Sequence, residues 1–240
     1  MDLSDPTEAV TATLDGPVLA VLATAGRPLT VGEVAAQAVR GSEIGIRRSL
    51  ARLVDQGIVR ATVYGRNQVH ELNREHLAAP VADVLAGLRL ELWKRFRSTL
   101  AEWNPRPLYA CVFGSAARGD GDEASDIDLL LVHPPFKTDR RPARSARSGL
   151  LELLVDSMAT QPVRPLGKVE EDRWQVQIDE LRGQVRRWTG NSLQVVDFSA
   201  FEWTDPKAAH ADLRTEVDQD GVTLAGSKLV VPVAARQGRP

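Results

Sequence analysis

This chain of 240 residues has little cysteine and little lysine. Its single cysteine, Cys111, excludes an intramolecular disulfide, and four scattered histidines provide no spacing for a structural zinc site. No run approaches the roughly 20 apolar residues that cross a bilayer, and the start, MDLSDPTEAV, is acidic rather than signal-like. These absences predict a cytoplasmic protein without a membrane partner. Arginine supplies most of the 30 basic residues, which is typical of a GC-rich bacterium.

Neither sign of charge dominates. Lys+Arg 30 against Asp+Glu 32 gives a net charge of -2, which excludes a uniformly basic nucleic-acid binder and leaves room for local patches. No GxxxxGK[ST] or GxGxxG is present, so P-loop ATPase and dinucleotide roles are disfavoured. The length predicts two domains, which we place at residues 1–78 and 105–233. A connecting helix at 79–104 and a flexible tail at 234–240 complete the predicted organisation.

Residues 30–72 predict two helices and a hairpin. Thr30 and Glu33 have the spacing of a capping box for a helix at about 31–38. Ser42 can cap a second helix in this span, with one apolar and one basic face, and two strands around Gly65 follow. This order resembles the winged helix-turn-helix of bacterial transcription regulators over about 70 residues. The resemblance implies DNA binding by Arg47, Arg48, Arg52, Arg60 and Arg66; the alternative is a module used only for dimerisation or packing.

Residues 81–103 predict one long amphipathic helix, because apolar side chains recur at helical spacing. Leu88, Leu92, Phe96 and Leu100 form its stripe. The stripe packs within the chain or forms the surface of a homodimer, and the sequence leaves both open.

A compact motif follows the predicted connecting helix. After an apolar strand at 107–113 come Gly114 and Ser115, a polar loop, and then Asp126 and Asp128 in a second apolar strand. Glycine lets the backbone approach a phosphate, and a serine hydroxyl can meet the same phosphate. Two aspartates spaced by two residues on a strand share one face, so both can ligate Mg²⁺.

FGSAARGDGDEASDIDLLLV resembles the nucleotidyltransferase superfamily that includes DNA polymerase beta, and is closest to its minimal form. The resemblance implies a mixed β-sheet flanked by helices, and hence an α+β or α/β chain. It also implies an NTP substrate, expected to be ATP, held by Gly114, Ser115 and Arg118, with two Mg²⁺ or Mn²⁺ ions on Asp126 and Asp128. For Arg118, an ion pair with Asp120 or Asp122 is an equal alternative.

The resemblance also implies a third carboxylate on a later strand, as a metal ligand and acceptor of the proton from the attacking hydroxyl. We assign it to Asp197, in a β-rich run at 192–198 after a predicted helix at 170–189. The alternatives are Asp156, Asp179, Glu180 and Glu202.

The segment 133–149 carries five cations and one acid, so it is either a clamp for substrate or a surface loop.

The expected function is NMP transfer to a hydroxyl of a protein, an RNA or a small molecule, with pyrophosphate released. The resemblance links such enzymes to toxin–antitoxin systems. A nucleotide-sensing transcription regulator without turnover is the rival hypothesis, and antibiotic modification is a third.

Overall fold

A computed structural model describes residues 1–139, 165–204 and 210–227. Several predicted features lie outside these residues: Asp156, the greater part of the basic segment 133–149, and the tail at 234–240. The chain divides into two compact units. Unit 1 comprises Met1–Leu92 and Gly119–Ala124, and unit 2 comprises Trp93–Arg118 and Ser125–Pro240.

Unit 1 contains a small antiparallel sheet and the helices that cover it. Its elements are a 3₁₀ turn (Pro6–Ala9), α1 (Asp15–Thr24), β1 (Leu29–Thr30), α2 (Val31–Gln37), α3 (Glu43–Asp55), β2 (Val59–Tyr64) and β3 (Asn67–Leu72). The strand order is β1-β3-β2, and both pairings are antiparallel. The helices predicted after Thr30 and Ser42 and the predicted hairpin are confirmed.

Side-chain hydrogen bonds cap α2 and α3 at the residues that the sequence predicts. Thr30 Oγ1 accepts from the Glu33 N–H at 3.3 Å, and Glu33 Oε2 accepts from the Thr30 N–H at 2.8 Å. Ser42 Oγ accepts from the Gly45 N–H at 3.2 Å and caps α3. At the hairpin turn Gly65 has φ +62°, a left-handed conformation that favours glycine.

The long helix α4 (Ala79–Ala101) carries the apolar stripe, and its side chains pack inside the chain. Leu88 contacts the core of unit 1. Leu92, Phe96 and Leu100 are buried, and the Phe96 ring meets Trp188 of unit 2 edge-on at 5.9 Å. Intramolecular packing is therefore the correct alternative. This stripe is not free to serve as the dimer surface that we considered from the sequence.

Unit 2 is built on a mixed four-stranded sheet. Its remaining elements are β4 (Tyr109–Phe113), α5 (Gly114–Arg118), β5 (Ile127–His133), α6 (Lys168–Thr189), β6 (Leu193–Ser199), α7 (Ala200–Thr204), α8 (Ala211–Asp220) and β7 (Val222–Gly226). The strand order is β6-β5-β4-β7, with β5 and β6 parallel and the other pairs antiparallel. The predicted mixed sheet with flanking helices is thus present in an α+β chain.

The two faces of this sheet meet different helices. On one face, Leu130 and Val132 of β5 pack in a cluster with Trp203 of α7 and Val217 of α8; we call this the α8 face. On the opposite α6 face, His133 lies 5.6 Å from the ring of Trp174, a buried residue of α6. Because side chains alternate along a strand, each residue of β5 and β6 belongs to one face.

Among the helices of the described residues, none combines the length and the apolarity that crossing a membrane requires.

Candidate functional site

Asp128 is fixed by a close contact with the backbone at the end of β4. It pairs with Phe113 in the β4–β5 register, so Gly114 follows directly beside it. Gly114 has φ +68°, and a Cβ atom on this residue would lie 2.7 Å from Asp128 Oδ2. A larger residue at 114 would therefore be strained and would also displace the carboxylate. Ser115, half-buried, comes next in α5.

Asp126 lies immediately before β5, in a segment held by the turn between α6 and β6. Helix α6 ends at Gly190, which has φ +81°. The buried Asn191 then donates from Nδ2 to the Ser125 carbonyl at 3.0 Å. The Ile127 N–H donates to the Ser192 carbonyl at 2.9 Å. Hydrogen bonds on both sides of Asp126 thus fix its backbone.

Acidic neighbours surround Asp128. Burial raises the pKa of its carboxyl, and the negative charges of Asp126 and Glu216 raise it further. Among the described residues, neither Asp126 nor Asp128 makes an ion pair. Two carboxylates that repel each other and have no internal cation form a favourable place for an external one.

Arg118 joins an acidic pair on α8. Its Nη1 lies 3.3 Å from Glu216 Oε1 and 3.9 Å from Asp220 Oδ2. Arg118 is thus ion-paired, and Glu216 and Asp220 are partners other than the Asp120 or Asp122 that the sequence suggested. Since this guanidinium contacts Glu216, the negative charge of Glu216 is partly compensated, whereas that of the Asp126–Asp128 pair is not.

The assignment of Asp197 as a third ligand needs correction. In the parallel register Asp197 of β6 pairs with Leu131, three residues beyond Asp128, so the two aspartates lie on opposite faces. On the α6 face Asp197 Oδ2 accepts from Trp174 Nε1 at 2.9 Å. Burial raises the pKa of Asp197, although His133 and the Trp174 hydrogen bond act in the opposite direction. The structure does not bring Asp197 to Asp126 and Asp128.

The alternative acids do not complete the pair either. Asp179 pairs with Arg182 at 2.8 Å on the exposed side of α6, and Glu180 is exposed on the same helix. Glu202 accepts from the Ser199 N–H at 2.9 Å at the start of α7. Within the described residues, no three His, Cys, Asp or Glu side chains gather in a way that could hold a metal ion.

The residue that pairs with Asp128 across β5 and β6 is Gln194. Its Nε2 donates to Asp126 Oδ2 at 3.1 Å. Sequence reasoning missed Gln194 because we searched this strand for a carboxylate, and only the strand register identifies the residue beside Asp128.

Residues 93–184 match the family model of the nucleotidyltransferase domain. The matched span contains β4, α5 and β5, and with them Gly114, Ser115, Asp126 and Asp128. This match supports NMP transfer as the general type of reaction of this domain. The match ends before β6, so it does not include Gln194 or Asp197.

No curated protein matches the chain. Among solved structures, the chain is similar to the crystal structure of human N-acetylserotonin methyltransferase in complex with SAM, at 22% identity with a TM-score of 0.26. The similarity covers 38% of this chain and 29% of that one. A TM-score of 0.26 is too low to carry an argument.

The five arginines predicted to bind DNA have different surroundings in unit 1. Arg47 lies 2.9 Å from Glu43, Arg52 pairs with the half-buried Asp15, and Arg60 pairs with Glu75. Although burial acts to raise the pKa of Asp15, hydrogen bonds from Arg52, Ser49 and Thr13 hold it below its usual value. In contrast, Arg48 and Arg66 are exposed and make no ion pair with any residue that the structure describes.

Proposed function

We propose that the nucleotidyltransferase domain of this chain transfers NMP from an NTP to a hydroxyl group and releases pyrophosphate. The observation that carries the proposal is the Asp126–Asp128 pair beside Gly114, with no internal cation among the described residues. A purely structural role gives no reason to place two adjacent carboxylates beside each other without a cationic partner.

Asp126 and Asp128 would hold Mg²⁺ or Mn²⁺, since carboxylate oxygens are the preferred ligands of such hard cations. When bound, the cation would neutralise charge that develops on the phosphates during transfer. The residues fit this role because Asp126, immediately before β5, and Asp128, within β5, are on the same face, where their negative charges repel each other. Gly114 and Ser115 would contact the triphosphate, with ATP as the expected substrate. Arg118, which is tied to Glu216, is the weaker candidate for phosphate contact.

The test uses the full chain with each α-³²P-labelled NTP, Mg²⁺ and a cell extract. We expect label to move to a protein, an RNA or a small molecule, and this identifies the acceptor class. Asp126→Asn and Asp128→Asn should abolish the transfer, because each removes a metal-ligating charge. Asp179→Asn, which removes an exposed charge of α6, is the matched control and should behave as wild type. Transfer at the wild-type rate by either site variant would reject the proposed site.

A regulator that senses nucleotide without turnover is the rival function. It would bind the NTP in an equilibrium measurement but leave the label in the nucleotide after long incubation with every extract fraction. A toxin–antitoxin role would require that the labelled acceptor loses its activity.

For unit 1 we propose DNA binding of the winged helix-turn-helix kind. Support comes from the outer face of α3, where Ile44 and Arg48 lie one helical turn apart and are both exposed. Ile44 is 66% exposed, and an apolar side chain beside an unpaired cation suits contact with bases and phosphates in a groove. Arg66 lies in the turn of the β2–β3 hairpin and would contact a phosphate.

Gel-shift titration with the protein's own promoter at two salt concentrations tests the DNA proposal. Arg48→Ala should cost on the order of 1–3 kcal/mol if it contacts a base, and Arg66→Ala should weaken all sequences alike. Arg27→Ala is the control, since this exposed arginine pairs with Glu33 outside α3 and the hairpin. Absence of any retained fragment, or equal retention by Arg48→Ala, would leave unit 1 as a packing module.

A further inference from the structure

The place beside Asp128 on the α8 face is occupied by an amide. Parallel pairing aligns Gln194 with Asp128, so both side chains leave the sheet on the same side. Gln194 Nε2 lies 3.1 Å from Asp126 Oδ2. An ionised carboxylate only accepts hydrogen bonds, so the amide must present its N–H₂ to Asp126. The side chain of Gln194 therefore lies beside Asp128 and donates a hydrogen bond to Asp126.

No further acid is available to complete the pair among the described residues. Asp197 lies on the α6 face and accepts from Trp174. Glu216 influences Asp128 but contacts the Arg118 guanidinium, which reduces its effective charge. The site therefore has two carboxylates and one amide.

We infer that Gln194 is a positioning residue that orients Asp126, and that the site binds a single divalent cation before nucleotide arrives. The inference depends on the proposed function. Two carboxylates balance the charge of one divalent cation, whereas a second cation next to the first would be repelled without a further anionic ligand. The triphosphate itself would have to supply that anionic ligand, so a second cation would enter with the nucleotide.

The amide also restricts Asp126. A hydrogen bond to Oδ2 occupies one acceptor direction of that oxygen and limits rotation of an otherwise exposed side chain. Removing the amide would free Asp126 to rotate, and ordering it would then oppose cation binding. A carboxylate at 194 would instead add an anionic oxygen ligand beside Asp128.

The test is titration of Mn²⁺ into the full chain without nucleotide, followed by the EPR signal of free Mn²⁺. Wild type should bind one ion. Gln194→Ala should bind it several-fold more weakly, and Gln194→Glu should bind at least tenfold more tightly or take up a second ion. Gln175→Glu adds a carboxylate on the exposed side of α6 and should titrate as wild type. Circular dichroism melting verifies that each variant is folded.

The results separate this inference from the proposed function. If Asp126→Asn and Asp128→Asn bind Mn²⁺ as wild type does, the proposed active site is wrong. If these two lose the ion while both Gln194 variants titrate as wild type, only the role of Gln194 is rejected. Wild type that binds two ions, or none, without nucleotide also overturns the inference of a single cation.

Discussion

Strands β5 and β6 carry aspartates on both faces of one sheet, and the two kinds of surroundings differ. On the α8 face, Asp128 has Asp126 and Glu216 as charged neighbours. On the α6 face, Asp197 has the indole N–H of Trp174 and the imidazole of His133. Burial raises the pKa of both aspartates. Among the described residues, only Asp197 of the two has groups that stabilise its charge, and the charges of Glu202 and Asp139 act against them.

The surroundings of the two carboxylates indicate that Asp128 belongs to a candidate ligand site and that Asp197 is a structural group. The protein supplies a donor for Asp197 Oδ2, although the buried Oδ1 has no hydrogen-bond partner among the described residues. It supplies no internal cation for Asp128 among the described residues, which leaves the charge to be compensated by a ligand. Two residues of the same type, a few positions apart in the strand register, thus have different surroundings because different groups lie against each face.

The largest expected effect is on catalysis. Asp128→Asn should lower the rate of NMP transfer by a factor on the order of 100 or more, because a metal-ligating charge is lost. Asp197→Asn should keep the rate within a few-fold of wild type in the folded fraction, since its carboxylate lies on the other face. Initial rates at saturating NTP measure both. Equal losses in the two variants would remove the distinction between the faces.

The sequence was sufficient to predict the parts of this site that are encoded locally. Gly114, Ser115, Asp126 and Asp128 lie within 15 consecutive residues, and alternation along one strand places Asp128 opposite Ile127. The caps at Thr30 and Ser42 are likewise short-range hydrogen bonds. Interactions over a few residues are independent of how distant segments pack, so the pattern alone identifies them.

The sequence could not predict features that depend on register between distant segments. Which residue of β6 faces Asp128 depends on the packing of α6 against the sheet, and a shift of one residue exchanges the faces. Both Gln194 and Asp197 lie in a predicted strand, and only the observed register separates them. The Arg52–Asp15 pair, which removes Arg52 from the free cations of α3, joins residues 37 positions apart in the chain.

A second prediction concerns the free energy of unfolding. Trp174→Phe removes the N–H that Asp197 Oδ2 accepts and leaves a buried carboxylate without this donor. We expect a loss of about 2 kcal/mol. Asp128→Asn should leave stability unchanged or slightly higher, because it relieves repulsion from Asp126 and Glu216. Urea unfolding at neutral pH measures both, and a stability loss in Asp128→Asn that matches Trp174→Phe would contradict the comparison.

A third prediction tests the close packing around Asp128. Gly114→Ala should destabilise the chain by about 1–2 kcal/mol, because φ +68° is unfavourable for alanine and its Cβ would meet Asp128 Oδ2. NMP transfer should also fall. Gly183→Ala in α6 is the control, since its Cβ would meet only the mobile end of Arg187. The control should be neutral or stabilised by up to about 1 kcal/mol, and identical behaviour of both variants would argue against the strained contact.

The smallest effect is the pH dependence that Asp197 contributes. Because burial raises the folded-state pKa of Asp197 above its ordinary value of 3.8, the folded chain holds this proton to higher pH than the unfolded chain does. The contribution to stability is complete below pH 3.8 and is lost as the pH rises through the folded-state pKa.

Asp197→Asn has no such proton. The stability of wild type relative to Asp197→Asn should therefore be greater at about pH 4.5 than at about pH 7.5. Urea unfolding of both proteins at the two pH values measures it. A relative stability that increases with pH would show that His133 and Trp174 outweigh burial at this carboxylate.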